Sequence, residues 1–345
     1  MGDPASIAKR IHVPSYDEIL ERIGRRGRQR RGRRRPAYEE ELEFLQRVRD
    51  VVISRTDFVR DVVRLLDSLH PFYWDLIEIE FDRSEIRNAI SCISRSRKMT
   101  DRLFEKYRVL LMASESPREA RSVGREARGR ILSMYKRCSR GLDLLRSLLV
   151  FMHRLPAVEA GIPTIVVSGP PSSGKSTFVG SVSRAQPRVA SYPFTTRQIH
   201  IGHHILEDGS RIQVVDTPGV LDRHFDEMND VERRAAAALR RLDGAILFLY
   251  DPTRDAYMPL ERQSRLLTGT VARLVGGRRV YVAVNKRDAV SGRELEEALR
   301  EAENAAAKIR GVFLGGISAA IKMEAEGVVR RIASSEGWLE AGSRL

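Results

Sequence analysis

The chain has 345 residues, 42% of them hydrophobic, which exceeds one small domain and supplies enough apolar surface for packed cores. Its formal net charge of +14 is uneven: residues 1–160 carry 34 basic against 24 acidic side chains, and residues 161–345 carry 26 against 22. That asymmetry points to a polyanionic partner, nucleic acid or an acidic membrane face, and with no apolar run of roughly 18 residues an integral membrane protein is not expected.

Taken in chain order, the first element is a short helix opened by Ser15 and Glu18, whose spacing is that of a capping box, and running to about Arg22. The next segment, Arg25–Arg35 (RRGRQRRGRRR), has eight arginines in eleven positions and two glycines that oppose helix. Guanidinium forks bind phosphates and stack on bases, so the segment reads as an RNA-contacting arm that orders on binding; a solvated or membrane-attracted basic loop is the alternative. Pro36 is predicted to begin a long helix with Leu42, Leu45, Val48, Val52, Val59, Val62, Val63 and Leu66 near helical spacing, broken at His70-Pro71.

Ser84 is expected to cap the following helix, with Ile86, Ile90, Ile93, Met99, Leu103 and Leu110 inward. Ser116-Pro117 then opens a last one that ends at Pro156. Long amphipathic helices with short connections predict an all-α antiparallel bundle over residues 1–155, joined by a linker at 156–162 to an α/β domain over 163–345. Phe72, Tyr73 and Trp74 form the densest aromatic cluster and read as core. A second basic set, Arg121, Arg125, Arg128, Arg130, Lys136, Arg137 and Arg140, recurs partly at helical spacing, as a stripe extending the basic surface or as a solvated face. Cys92 and Cys138, the only cysteines, are too few and too far apart in sequence for a disulfide framework or a metal knuckle, so a reducing cytoplasm is expected.

From residue 164 the chemistry becomes specific. The apolar run Thr164–Ser168 predicts a buried strand, followed directly by Gly169, Pro170, Pro171, Ser172, Ser173, Gly174, Lys175, Ser176 and Thr177 (GPPSSGKST), a P-loop in its proper strand–loop–helix context. Its glycines let backbone N–H groups close on phosphate oxygens at a helix N-terminus. Lys175 is the cation for the β- and γ-phosphates and Ser176 the hydroxyl ligand of Mg²⁺. Thr195 and Thr196 of the YPFTT run are candidates for the second protein ligand of the ion, Thr196 being favoured. Strand Arg211–Val215 delivers Asp216 of DTPG to the Mg²⁺ hydration shell, and the Gly219 N–H is free to meet the γ-phosphate.

The predicted strand Arg279–Val284 ends on Asn285, Lys286, Arg287 and Asp288. The Asp288 carboxylate can accept from the N1–H and N2–H₂ edge of guanine, which adenine lacks; Lys286 would lie along the base and ribose, and Asn285 would tie this loop to the P-loop. After the predicted strand Gly311–Gly315, Ser318 and Ala319 can offer backbone N–H groups to the guanine O6. These five motifs in this order read as a guanine-nucleotide site, with Lys175, Thr196 and Gly219 in the catalytic roles. Val220 stands where Ras-like proteins place the glutamine that orients the attacking water, so slow intrinsic hydrolysis is expected. His200, His203 and His204 follow the YPFTT run with no cysteine or spaced carboxylate set that would suggest a metal.

The segments LHPFYWDLIEIEFDRSEIRNAISCISRSRK, ARGRILSMYKRCSRGLDLL and RLPAVEAGIPTIVVSGPPSSGKST, followed by YPFTT and VVDTPGVLDR, resemble the nucleolar GTP-binding protein 1 (Nog) branch of the Obg-related GTPases in a short archaeal-type form. The resemblance runs from about Ile11 to Ser335, and LHPFYWDL is its specific part. It implies a mostly parallel six-stranded sheet and a role in assembling the large ribosomal subunit, with ribosomal RNA and pre-large-subunit particles as partners. Ser172 departs from the asparagine that helps some relatives bind potassium, so potassium is a doubtful cofactor beside Mg²⁺. The chain stops at Leu345, so partners of the long C-terminal region of eukaryotic members are not carried over. Two other functions stay open on these residues: an RNA-binding scaffold with a structural nucleotide, and a regulatory GTPase on a membrane or a non-ribosomal RNA.

Overall fold

A computed structural model describes residues 3–24, 35–159, 161–191, 193, 198–217, 221–222, 224–274, 276–290 and 292–339. Helices α1 (Pro4–Ala8) and α2 (Tyr16–Gly24) open the chain, and both bonds of the expected capping box form: Glu18 N–H donates to Ser15 Oγ at 3.0 Å and Ser15 N–H to Glu18 Oε1 at 3.2 Å. The arginine-rich segment from Arg25 to Arg34 lies outside the described residues.

The long helix expected after Pro36 is two, α3 (Ala37–Arg55) and α4 (Phe58–Asp67). Arg97 is the reason: its guanidinium donates to the Ile53 carbonyl at 2.5 Å, to Thr56 Oγ1 at 2.9 Å and to the Asp57 carboxylate at 2.9 Å. A cation from a distant helix thus satisfies the carbonyl end of α3 and allows it to stop without a glycine. After α5 (Pro71–Ile77), α6 (Arg83–Met112) is capped by Asp82 rather than by the expected Ser84. Asp82 Oδ1 accepts the N–H groups of Ser84 and Glu85 at 2.6 and 3.2 Å. The Ser84 hydroxyl and these N–H groups hold its carboxyl below the usual range.

The last predicted helix is also split, into α7 (Pro117–Arg137) and α8 (Ser139–Met152), at Cys138. That residue is bonded to Cys92, with Cα atoms 5.9 Å apart across a sequence separation of 46. The expectation that these cysteines stand apart is therefore corrected. Distance along the chain was the wrong measure, because α6 and α7 run antiparallel: Tyr107 bonds Glu126 at 2.9 Å, Thr100 meets Tyr135 at 3.3 Å, and Ser96 meets Cys138 at 3.5 Å. With α3, also antiparallel to α6 through Arg49–Asp101 and Arg97–Asp57, these helices enclose a core of Leu45, Val48, Val52, Phe104, Tyr107, Ile131 and Tyr135. Met99 and Leu110, expected inward, are exposed; Ser96 and Thr100 occupy the seam, their hydroxyls bonded within it.

The second half is a seven-stranded sheet in the order β2-β3-β4-β1-β5-β6-β7. In chain order, with helices α9 (Lys175–Val182), α10 (Asp230–Ala238), α11 (Leu260–Arg265), α12 (Ala272–Leu274), α13 (Arg293–Lys308) and α14 (Lys322–Glu336) between or after them, the strands are β1 (Thr164–Ser168), β2 (Arg188–Ser191), β3 (Gln198–Ile205), β4 (Arg211–Asp216), β5 (Gly244–Tyr250), β6 (Val280–Val284) and β7 (Val312–Gly316). A π turn, Leu266–Val271, joins α11 to α12. One strand more than the family implies is present because β2, short and with Val189 exposed, adds antiparallel to β3 at the edge.

β1, β4, β5, β6 and β7 are parallel and apolar on both faces, as a sheet covered by helices requires. Alternation sends Ile165 and Val167 to a core with Phe178 of α9 and Val328 of α14, and Val166, Phe248 and Val282 to the opposite face. β1 is the central strand from which the order turns to either side. The crevice at its C-terminal end is therefore where such sheets bind ligands.

The apolar packing does not divide at residues 156–162. Phe72, Leu76, Leu145 and Leu148 of the helical part belong to one cluster with Ala235, Leu239 and Phe248 of the sheet part. The core reading of Phe72 and Tyr73 holds, and Tyr73 Oη donates to the Val158 carbonyl at 2.7 Å. Trp74 is half-buried beneath the Arg83 guanidinium, 4.1 Å from its ring. Arg241 pairs with Asp75 at 2.8 Å, and Arg234 donates to the Glu78 carbonyl at 2.7 Å, so α5 is fastened directly to α10 and the turn after it.

Candidate nucleotide site

The P-loop residues Gly169–Gly174 link β1 to α9, and Lys175, Ser176 and Thr177 form the first turn of that helix. Gly169 has φ +145° and Gly174 φ +92°, and neither leaves room for a side chain: a Cβ on Gly169 would lie 2.5 Å from the Leu249 carbonyl oxygen, and one on Gly174 would run into the Asn285 side-chain amide. Ser172 joins them in the left-handed region at φ +64°. Successive turns of this kind direct backbone N–H groups into one concavity, the arrangement that receives anions. Lys175, 5% exposed, has its Nζ at 2.9 Å from the Gly169 carbonyl and 2.8 Å from the Pro170 carbonyl, so its charge is held against the loop.

Asp216 ends β4 beside β1 and is fully buried. Ser176 Oγ donates to its Oδ2 at 2.5 Å, and His200, its register partner on β3, stands 3.4 Å away through Nδ1. Burial pushes the Asp216 carboxyl above its ordinary range, opposed by the Ser176 hydroxyl and the Lys175 charge. Asp216 Oδ1 is buried without a hydrogen-bond partner among the described residues. A serine hydroxyl beside a carboxylate oxygen with spare acceptor capacity suits a small hard cation, so the residues present fit Mg²⁺. Thr217 Oγ1 donates to the Val167 carbonyl at 3.0 Å and Ser168 Oγ to the Leu221 carbonyl at 3.1 Å, so the chain on either side of Pro218–Val220 is tied to β1. Thr195, Thr196, Gly219 and Val220 lie outside the described residues.

Asn285 is the junction of the site. Its Nδ2 donates to the Ser173 carbonyl at 2.7 Å and its Oδ1 accepts the Ala319 N–H at 2.8 Å, so one buried side chain joins P-loop, β6 turn and β7 turn. Ser318 N–H donates to Glu324 Oε2 at 2.8 Å, and Arg287 grips the same carboxylate at 2.9 and 2.5 Å, which holds Glu324 below its usual range. Asp288 is exposed on the turn beyond Lys286.

The sequence reading missed Asp251, at the end of β5, which is buried and 2.6 Å from Lys286 Nζ. Its signal was positional: a carboxylate at the C-terminal end of an apolar strand, where ligands of parallel sheets gather. Of the three histidines of β3, His200 reaches Asp216, His203 stands 3.2 Å from Glu159, and His204 Nδ1 lies 3.1 Å from the Val182 carbonyl.

Residues 9–159 match the NOG1 N-terminal helical domain, and residues 164–286 match a 50S ribosome-binding GTPase family. Among curated proteins, the chain is 30% identical over 259 residues to nucleolar GTP-binding protein 1 of Caenorhabditis elegans, covering 74% of this chain and 37% of that protein. It is 31% identical over 235 residues to nucleolar GTP-binding protein 1 of Drosophila melanogaster, covering 68% of this chain and 36% of that one. The chain thus spans little more than a third of these relatives. A crystal structure of a nucleolar GTP-binding protein 1 from Plasmodium falciparum, 24% identical, aligns over 54% of this chain and 93% of its own with a TM-score of 0.46.

The expected cytoplasmic location is overturned by these comparisons, because the relatives are named for the nucleolus. Cysteine count and the lack of an apolar span carry no address that could have distinguished the two compartments. A helical-domain match specific to one family, running into a P-loop GTPase domain, shows that the chain belongs to the Nog family of Obg-related GTPases.

Proposed function

We propose that the chain binds GTP with Mg²⁺, hydrolyses it slowly to GDP and phosphate, and uses the nucleotide to control its part in large-ribosomal-subunit assembly through contact with ribosomal RNA. The observation that carries the nucleotide reading is the Asn285 side chain, which holds the phosphate loop and both turns of the base end in one frame. In this reading Lys175 leaves the Gly169 and Pro170 carbonyls for the β- and γ-phosphates, and the backbone N–H groups of Ser172–Thr177 surround them, Pro170 and Pro171 having none to give. Ser176, Asp216 and Thr196 would hold Mg²⁺, which supplies charge neutralisation at the phosphate oxygens. Gly219 N–H meets the γ-phosphate and Asp288 reads the base; the Ser318 and Ala319 N–H groups, expected to face guanine O6, already donate to Glu324 and Asn285 and would have to leave them to do so. With Val220 beside DTP-Gly219 there is no side chain at that position to orient water, hence the slow turnover.

Removing the Lys175 amine or the Ser176 hydroxyl is expected to weaken Mg²⁺-dependent GTP binding by about 10- to 100-fold, the scale of a lost charge-assisted hydrogen bond, with the helical part still folded. Calorimetric titration of Lys175→Ala and Ser176→Ala checks this, and unchanged affinity in both would remove the phosphate roles.

The ribosomal part of the proposal is supported by the family's description as ribosome-binding and by the basic excess of residues 1–160. If the Arg25–Arg35 arm contacts RNA phosphates, the log–log salt dependence of RNA binding should be steep, about 0.7 for each phosphate neutralised on a single strand. Replacing those arginines by serine should flatten the slope and leave GTP binding alone. A slope equal to the parent's would place the RNA contact elsewhere. Control by the nucleotide further requires GTP- and GDP-loaded protein to bind pre-large-subunit particles with different affinities. Equal affinities would leave the scaffold reading, which the apolar Val220 also favours.

A further inference from the structure

The β5 carboxylate that faces Lys286 is built into the fold more firmly than charge neutralisation of a half-buried lysine needs. Asp251 is fully buried. Its Oδ1 accepts from Thr253 N–H at 3.1 Å and Thr253 Oγ1 at 2.7 Å, which fixes the carboxylate plane and leaves Oδ2 for Lys286 at 2.6 Å. Gln263, reaching in from α11, accepts the Asp251 N–H at 2.9 Å and donates to the Asp251 carbonyl at 2.8 Å, so the backbone beneath the carboxylate is held as well. On the other side, Lys286 has φ +56°, a conformation disfavoured for a lysine, and Asn285 N–H is bonded to the Tyr250 carbonyl at 2.9 Å. Two neighbouring parallel strands therefore end in a paired anion and cation held from both backbones.

We infer that Asp251 is a positioning residue for guanine-nucleotide binding: it anchors the Lys286 ammonium at the β5 end so that the lysine stem is laid across the place of the base and ribose before the ligand arrives. The inference rests on the guanine-nucleotide reading above and extends it to a residue outside every nucleotide motif of the sequence. An unanchored lysine would have to be ordered at each binding event, and that ordering is taken from affinity. The anchor acts at the base end, which GTP and GDP share, and is separate from the Ser176–Asp216 end. Its loss should weaken both nucleotides alike and leave the Mg²⁺ requirement as it was. A merely structural ion pair would change thermal stability and neither affinity.

The test is titration of GTP and GDP into full-length parent, Asp251→Asn, Lys286→Met and the double variant, each at several Mg²⁺ concentrations, with melting curves alongside. Lys286→Met strips a buried carboxylate of its cation and puts the fold at risk; the double variant removes both charges and provides the folded reference. Asp251→Asn is expected to lose about tenfold for both nucleotides, the equivalent of 1.4 kcal/mol, with an unchanged Mg²⁺ midpoint. The double variant should bind no more weakly than Asp251→Asn by more than about threefold, because one device has been removed twice. Parent-like affinity in Asp251→Asn, beside a parent that binds GTP, overturns this inference and leaves the nucleotide reading intact. A parent that binds no GTP removes both.

Discussion

Asp288→Asn is expected to lower GTP affinity by about 100-fold and to create binding of xanthosine triphosphate, with no change in thermal stability. The carboxylate would accept two hydrogen bonds from the guanine N1–H and N2–H₂ edge, each charge-assisted and worth about 1.5–3 kcal/mol, so replacing it by an amide places a donor against a donor. Xanthine carries an oxygen where guanine carries that amine, and the amide complements it. The structure separates binding from folding here, because Asp288 is exposed on the β6 turn; an exposed substitution of this kind changes stability by about 0.5 kcal/mol at most. Titration with both nucleotides, together with a melting curve, checks the expectation. GTP affinity equal to the parent's would mean that this turn does not read the base.

Asn285→Ala should behave in the opposite way and damage the fold as well as the site. Its two bonds, to the Ser173 carbonyl and from the Ala319 N–H, are buried, and the residue is 2% exposed. Alanine would leave a carbonyl and an N–H without partners away from water, at about 1–3 kcal/mol each. A loss of about 3 kcal/mol is expected, which for a domain of this size lowers the melting midpoint by about 6–12 °C. Nucleotide affinity should fall with it, since phosphate loop and base turns would no longer share a frame. A melting midpoint within about 2 °C of the parent would show that the three loops are held by something other than this side chain.

These two variants separate what was legible in the chain from what was not. The nucleotide motifs could be read in order because each depends on chemistry within a few residues. Gly169 and Gly174 take backbone conformations that side-chain-bearing residues rarely adopt, Lys175 and Ser176 are placed by the helix turn they open, and Asn285 and Asp288 are placed by the end of one apolar strand. The same holds for the capping box of Ser15 and Glu18. The family resemblance carried by LHPFYWDL is borne out by the helical-domain match over residues 9–159, and that segment is the joint α5, where Phe72, Tyr73 and Leu76 are fully or almost fully covered.

Features made by residues far apart were decided only by the tertiary structure. The break between α3 and α4 depends on Arg97, forty residues from Asp57; Asp57 sits at the N-cap of α4 but makes no side-chain cap bond there, its carboxylate accepting from Arg97 instead. Cys92 meets Cys138 because α6 and α7 fold back on each other, and the second break follows at that residue. The apolar pattern counted Met99 and Leu110 inward because periodicity registers hydrophobicity, whereas the bundle accepts the bonded hydroxyls of Ser96 and Thr100 at its seam. Asp251 became visible as a partner of Lys286 only once β5 and β6 lay side by side. Local backbone chemistry and strand ends placed the candidate nucleotide motifs in the sequence alone; helix ends, the disulfide and the fastening of α5 onto α10 waited on the tertiary structure, because each is a contact between segments whose proximity no local pattern encodes.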